Sequence, residues 1–228
     1  MIQKAIIENI ATLRAELLRH ARDPMHPPVL LPVTKTRPVS DILALRAAGV
    51  TAVGENRTQE IVEKYPAISG DFAIQFIGRL QTNKIKYIIS RVCMVQSLDR
   101  PELAEALDGR AQAMGKRMPV LVEVNIGGET QKAGVSPAEA EAFVRRCARL
   151  PGLDVRGLMA IMPLAAEPEA LRPLFRAMRT LYERLREQAI DGVRMEELSM
   201  GMSGDFRVAA EEGATIVRIG SAIFEAPA

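Results

Sequence analysis

Residues 29–38 read VLLPVTKTRP. A short apolar run is followed by a lysine, Lys35, and a turn signal closing on Pro38. The run does not alternate with polar residues, which is the pattern of a strand covered on both faces in a parallel sheet. The next segment, residues 40–48, opens on a capping-type serine, Ser40, and stops at Gly49, as a helix would. The joining stretch TKTRPVS contains no glycine, so the dinucleotide phosphate loop that opens many doubly wound sheets is absent.

The same unit recurs along the chain. Strand-like runs are expected at residues 29–35, 51–56, 72–78, 94–98, 120–126, 155–162, 197–202 and 215–220. Helical stretches separate several of them. Residues 101–114 carry Pro101 in the first turn and Gly115 past the end. Ser136 and Pro137 start a helix reaching residue 149. Residues 169–188 place Leu171, Leu174, Met178, Leu181 and Leu185 on one stripe. Before the first strand, residues 1–22 bring Ile6, Ile10, Leu13 and Leu17 to one helical face. Eight buried strands alternating with helices in 228 residues predict a single (β/α)8 barrel with an extra N-terminal helix, one domain over residues 1–228. An open doubly wound sheet is the alternative.

Composition narrows the function. The net charge of +2 demands neither nucleic acid nor an anionic membrane as partner, and 4% aromatics without Trp supply no base-stacking platform. No apolar run approaches the roughly 18–20 residues of a membrane span, and no secretory leader is evident, so the cytosol is the expected compartment. Cys93 and Cys147 stand far apart and read as small buried hydrophobes. His20 and His26 are not at metal-ligand spacing.

In a barrel the chemistry collects at the C-terminal strand ends, and the loops after strands seven and eight are the usual phosphate cup. Here those loops offer Ser203, Gly204, Gly220 and Ser221, a hydroxyl and backbone N–H groups open to an anion. Lys35, at the tip of strand one, is then a candidate Schiff-base lysine, with burial expected to lower its pKa. A phosphorylated aldehyde is the matching ligand: pyridoxal 5′-phosphate (PLP), or a sugar phosphate in an aldolase. Arg218, two residues before Gly220, favours PLP, because a guanidinium can donate to the pyridine nitrogen.

The segments VTKTRP, GENRTQE, FIGRLQTNK, QSLDR, VNIGGETQKAG, GLMAIMP and LSMGMSGDFRVAAEEGATIVRIGSAIF occur in this order across nearly the whole chain. Together they resemble the PLP homeostasis proteins known as the YggS or PROSC family, which are similar to the N-terminal barrel of alanine racemase, the fold type III PLP group. The resemblance implies a PLP aldimine on Lys35, phosphate contacts from Ser203, Gly220 and Ser221, Arg218 toward the ring nitrogen, and Asn56 and Met202 lining the site. It also implies a monomer that buffers or delivers PLP, with PLP-requiring enzymes as possible clients and no established turnover. Three positions depart from the family pattern: Gln75 stands where a His is usual, Arg57 where a Tyr is common, and Glu225-Ala226-Pro227-Ala228 where Gly-x-Arg is usual.

A racemase-like enzyme is the alternative function. Against it, alanine racemases use a tyrosine from the partner's second domain, and this chain is expected to end with its eighth strand. The residues after Lys35 are Thr36, Arg37, Pro38 and Val39, with no tyrosine among them. Tyr65, Tyr87 and Tyr182 fall in helical stretches. Lys84 and Lys132 are expected at the rim.

Overall fold

The computed structural model describes residues 2–225. All eight expected strands form: β1 (Val29–Pro32), β2 (Ala52–Glu55), β3 (Ala73–Phe76), β4 (Met94–Leu98), β5 (Met118–Glu123), β6 (Leu153–Met159), β7 (Val193–Ser199) and β8 (Ile216–Ile219). They pair in parallel in the order β1-β8-β7-β6-β5-β4-β3-β2. The ring closes between β1 and β2 through a bridge between Val33 and Gly54, where the Thr34 N–H donates to the Gly54 carbonyl at 3.0 Å. The fold is a (β/α)8 barrel, and the connections alternate as right-handed crossovers require.

The helices are α1 (Ile2–His20), α2 (Val39–Ala47), α3 (Thr58–Ile68), α4 (Ile85–Ile88), α5 (Pro101–Ala113), α6 (Ala140–Ala148), α7 (Arg172–Glu187), α8 (Phe206–Glu211) and α9 (Ser221–Phe224). The extra helix α1 buries the predicted stripe: Ile6, Ile10, Leu13 and Leu17 all belong to the main core. Each such side chain contributes about 1.5–3 kcal/mol. Asn9 Nδ2 donates to the Ile223 carbonyl at 3.0 Å and ties α1 to α9, next to the barrel mouth. The stripe of α7 is also inward, with Met178, Leu181 and Leu185 buried and Leu174 packed against the core.

Several expectations need correction. Most strands end earlier than the apolar runs suggest, because the last residues of each run leave the ladder to build the mouth. β1 stops at Pro32, and Lys35 sits in the turn beyond it, exposed rather than buried. Ser40 is not a cap: α2 starts at Val39 with Pro38 ahead of it and no side-chain capping bond. α6 starts at Ala140 rather than Ser136. Ser136 instead closes a turn ahead of the helix, accepting from the Glu139 N–H at 3.3 Å while its hydroxyl donates to Glu139 Oε2 at 2.6 Å. Cys147 is buried, as expected, with its thiol pushed up to about 12 by burial, but Cys93 is exposed, because its place just ahead of β4 leaves it outside the strand's covered faces.

Candidate functional site

One cavity of about 390 Å³ opens at the C-terminal ends of β1, β2, β3, β6, β7 and β8. All eight residues singled out from the sequence for this site, Gly204 included, line it. Lys35 enters from the turn after β1, and Asn56 from the residue following β2. Met202 and Ser203 come from the loop after β7, and Arg218, Gly220 and Ser221 from β8 and its continuation. Its volume falls within the range of small-molecule pockets.

The phosphate-cup expectation has a definite geometry. The backbone N–H groups of Gly220 and Ala222 both point at Ser203 Oγ, at 3.3 and 3.5 Å. Two strands' loops thus converge on one oxygen, leaving polar hydrogen-bonding groups around a single small volume. The β7 loop is held by Asp205, whose Oδ1 accepts from the Met202 N–H at 2.6 Å. Burial raises the Asp205 pKa. Gly201, at the start of this loop, has φ +93°, and a Cβ there would lie 2.5 Å from Ala209 Cβ. Only glycine fits both demands.

Asn56 is fixed by an equally close contact. A Cβ on Gly78 would lie 2.1 Å from the Asn56 carbonyl oxygen, so the glycine of the FIG segment lets the β3 loop press directly on the β2 tip. Asn56 Oδ1 is buried without a hydrogen-bond partner among the described residues. A buried acceptor left unpaired costs free energy, and a ligand donor in the cavity would satisfy it.

Arg218 projects from β8 into the interior and is buried. Its Nη1 donates to Ser199 Oγ at 2.6 Å and its Nη2 to the Ala160 carbonyl at 2.8 Å. Ser199 Oγ donates to Gln96 Oε1 at 2.7 Å, and Gln96 Nε2 donates to Gln75 Oε1 at 2.6 Å. This chain links β8, β7, β4 and β3 across the barrel and gives Gln75, one of the departures, a role as its last acceptor. Burial lowers the Arg218 pKa to about 10, against the pull of Glu123 and Asp205 upward, so it is protonated at neutral pH. At the end of β5, Glu123 is buried, and burial followed by the nearby Asp99 pushes its carboxyl up to about 7.

Sequence reading missed part of the lining. Arg37 and Glu225 both border the cavity and pair across it, Arg37 Nη2 donating to Glu225 Oε1 at 3.1 Å. The Arg37 guanidinium also lies 5.1 Å from the Phe224 ring centre. The altered C-terminal sequence therefore supplies a rim contact at Glu225; residues 226–228 lie outside the described residues. Arg57 points to solvent, 3.8 Å from Glu60. Neither Lys132 nor Lys84 lines the cavity: Lys132 donates to the Met162 carbonyl at 3.2 Å, and Lys84 lies over the Tyr87 ring. Among the described residues no cluster of metal-ligating side chains occurs and no tyrosine lines the cavity.

A parallel barrel with a lysine, a fully buried arginine and a two-loop cup at one mouth defines the class of the alanine racemase barrel. The family model described as alanine racemase, N-terminal domain, matches residues 3–227. The pyridoxal phosphate homeostasis protein of Aquifex aeolicus is 45% identical over 196 residues, covering 86% of this chain and 85% of that protein. The protein of the same name from Pasteurella multocida is 37% identical over 227 residues, with 97% of each chain covered. Among solved structures, PipY of Synechococcus elongatus with PLP bound superposes with a TM-score of 0.83 at 32% identity, covering 96% of this chain and 99% of that one. The chain belongs to the family of pyridoxal phosphate homeostasis proteins.

Proposed function

We propose that this protein binds PLP as a Schiff base on Lys35 and buffers or delivers it, without substantial turnover of its own. The observation that carries this reading is the convergence of Lys35, Asn56, Ser203, Arg218 and the Gly220–Ser221 backbone on one cavity. Ser203 and the N–H groups of the β8 loop suit a phosphate, Arg218 suits an unprotonated ring nitrogen, and the unpaired Asn56 Oδ1 suits a ligand donor. The relatives named for PLP homeostasis and the PLP-bound PipY structure support the same ligand. When bound, PLP would supply an aldehyde within reach of the Lys35 amine, with Ser203 and the β8 loop holding its phosphate and Arg218 facing its ring.

The absence of turnover is supported by the site itself. Arg218, facing the ring nitrogen of a bound PLP, would leave that nitrogen unprotonated and so weaken the ring as an electron sink. Among the described residues no tyrosine lines the cavity, and Tyr182 donates to the Met195 carbonyl at 2.8 Å in the core. No described helix is long and apolar enough to cross a membrane, and we place the protein in the cytosol as a monomer serving PLP-requiring enzymes.

The test is a visible spectrum of the PLP-loaded protein before and after borohydride, with peptide mapping of the adduct. A reduced adduct on Lys35, lost in Lys35→Ala, is the expected result; a full adduct at another lysine in that variant refutes the assignment. Incubation with L-alanine and other amino acids should give no D-isomer or keto acid above free PLP, and Lys35-dependent turnover would establish the racemase-like alternative. A bound species without visible absorbance would point to a sugar phosphate instead.

A further inference from the structure

Lys35 is carried on a turn, Thr34 to Arg37, closed by the Arg37 N–H donating to the Thr34 carbonyl at 3.1 Å. The third residue of this turn, Thr36, has φ +61°. A β-branched residue occupies the left-handed region only where its surroundings hold it there. The surroundings are one buried ionic chain. Lys64, on α3, donates from Nζ to the Thr34 carbonyl at 2.8 Å, to Glu55 Oε1 at 2.8 Å and to Glu60 Oε2 at 2.7 Å. Glu60 Oε2 also accepts the Thr36 N–H at 2.7 Å. Thr34 Oγ1 donates to Glu55 Oε1 at 2.6 Å. The residues on both sides of Lys35 are thus gripped by the same three charged side chains.

Glu55 is fully buried and Lys64 is 8% exposed. Burying a lysine with two carboxylates is a poor way to gain stability, because desolvation offsets the attraction, and apolar residues of similar volume would do as well. What the arrangement delivers is direction: apart from the solvent-side contact of Glu60 with Arg57, each of its bonds ends on the backbone or side chain of residue 34 or 36, or on another member of the chain. Burial pushes the Glu60 carboxyl up, but the Lys64 ammonium and the Thr36 N–H outweigh it and hold the group below its ordinary value, so it is ionised at neutral pH.

We propose that Glu55, Lys64 and Glu60 form a positioning clamp that fixes the strained turn and aims the Lys35 amine into the cavity. The clamp controls how readily Lys35 condenses with an aldehyde, while the cup on the β7 and β8 loops controls phosphate binding. This rests on the reading of Lys35 as the Schiff-base residue.

The two contributions separate with two ligands: PLP, and pyridoxine 5′-phosphate, which carries an alcohol in place of the aldehyde and can occupy the cup without condensing. Glu60→Ala in the full chain is the main variant, because it removes the bond to Thr36 and leaves the buried Glu55–Lys64 pair intact. Losing a hydrogen bond to a charged group should reduce the preference for PLP over pyridoxine 5′-phosphate by about tenfold, with affinity for the alcohol changing less than about twofold. Glu60→Gln keeps an acceptor for the Thr36 N–H and should recover most of the preference. Borohydride trapping on Lys35 at limiting PLP should fall and recover in parallel. An unchanged preference in Glu60→Ala, or equal weakening of both ligands, would overturn the clamp even where wild type traps PLP on Lys35. A wild-type protein that traps nothing on Lys35 would instead sink the Schiff-base reading, and the clamp with it.

Discussion

Replacing Ser199 with alanine removes a single oxygen from the barrel interior and strands two partners. Ser199 Oγ accepts from Arg218 Nη1 at 2.6 Å and donates to Gln96 Oε1 at 2.7 Å, and all three side chains are buried. The bond from the guanidinium is charge-assisted and accounts for about 1.5–3 kcal/mol; the neutral bond to Gln96 adds about 0.5–1.5 kcal/mol. Arg218 keeps the Ala160 carbonyl at 2.8 Å, so its charge is not left wholly without a partner. Ser199→Ala should therefore destabilise the protein by about 2–4 kcal/mol, a drop in Tm on the order of 5–15 °C for a chain of this size. Urea and thermal unfolding measure it. Adding Gln96→Leu should cost less than the sum of the two single changes, because the double variant no longer buries an unpaired amide oxygen. A loss below about 0.5 kcal/mol, the level of an ordinary surface substitution, would show that the chain from Arg218 to Gln75 carries no energy.

Glu123→Gln tests the interior charge balance. Burial and Asp99 raise its pKa from 4.5 to about 7, so the native state holds this proton more tightly than the unfolded chain does. Wild-type stability should then fall as pH rises across that window, and the variant should be more stable than wild type at about pH 8 by up to about 3 kcal/mol, with the gap closing below about pH 4.5. A gap of the same size at both pH values breaks the argument. Glu225→Gln tests the rim: removing a carboxylate that borders the cavity should tighten pyridoxine 5′-phosphate by roughly two- to fivefold at low salt, fading near 1 M, since the group is exposed and screened. Weaker binding at low salt would mean that the Arg37–Glu225 pair helps to build the cup.

The strands were legible because burial on both faces leaves a plain apolar run, and every one of the eight runs overlaps a strand, though β5, β6 and β7 begin before theirs. Their ends were not. The pattern carries no mark where a strand stops pairing and its apolar residues turn to line the mouth, so Lys35 was expected at a buried tip and lies on an exposed turn. That Ser203, Gly220 and Ser221 line one cavity was readable, because the loops after strands seven and eight of a barrel lie side by side at its mouth. The bonds from Arg218 to Gln75 were not readable, since Ser199 and Gln96 are 103 residues apart and meet only when the barrel closes. Lys64 gave a weak signal that went unused: it follows Glu60 by four residues, the spacing of a helical ion pair, but nothing local shows that both face inward under residue 34.

The placement of polar groups argues that the mouth is organised around geometry rather than stability. Inside the barrel the apolar fillers split into two small clusters, Leu31, Val33, Ile77 and Ile216 in one and Met94, Leu121 and Met159 in the other. Polar side chains take the positions in between that many barrels fill with Val, Ile or Leu. Arg218, Ser199, Gln96 and Gln75 form one network from β8 to β3, and a second, Glu55, Lys64 and Glu60, joins β2 to α3 behind the turn after β1. Hydrogen bonds join each network from member to member, the Arg218 network throughout and the Glu55 network through Glu55 Oε1, with Glu55 Oε2 left without a partner among the described residues. Each also terminates at the cavity, one on the residues flanking Lys35 and the other on Arg218. An exposed amine on a rigid turn opposite a rigid guanidinium can meet a ligand in one orientation while remaining open to solvent. On the proposed reading, that combination would suit reversible holding better than a sealed pocket, because hydrolysis of a lysine–aldehyde adduct would need water to reach it.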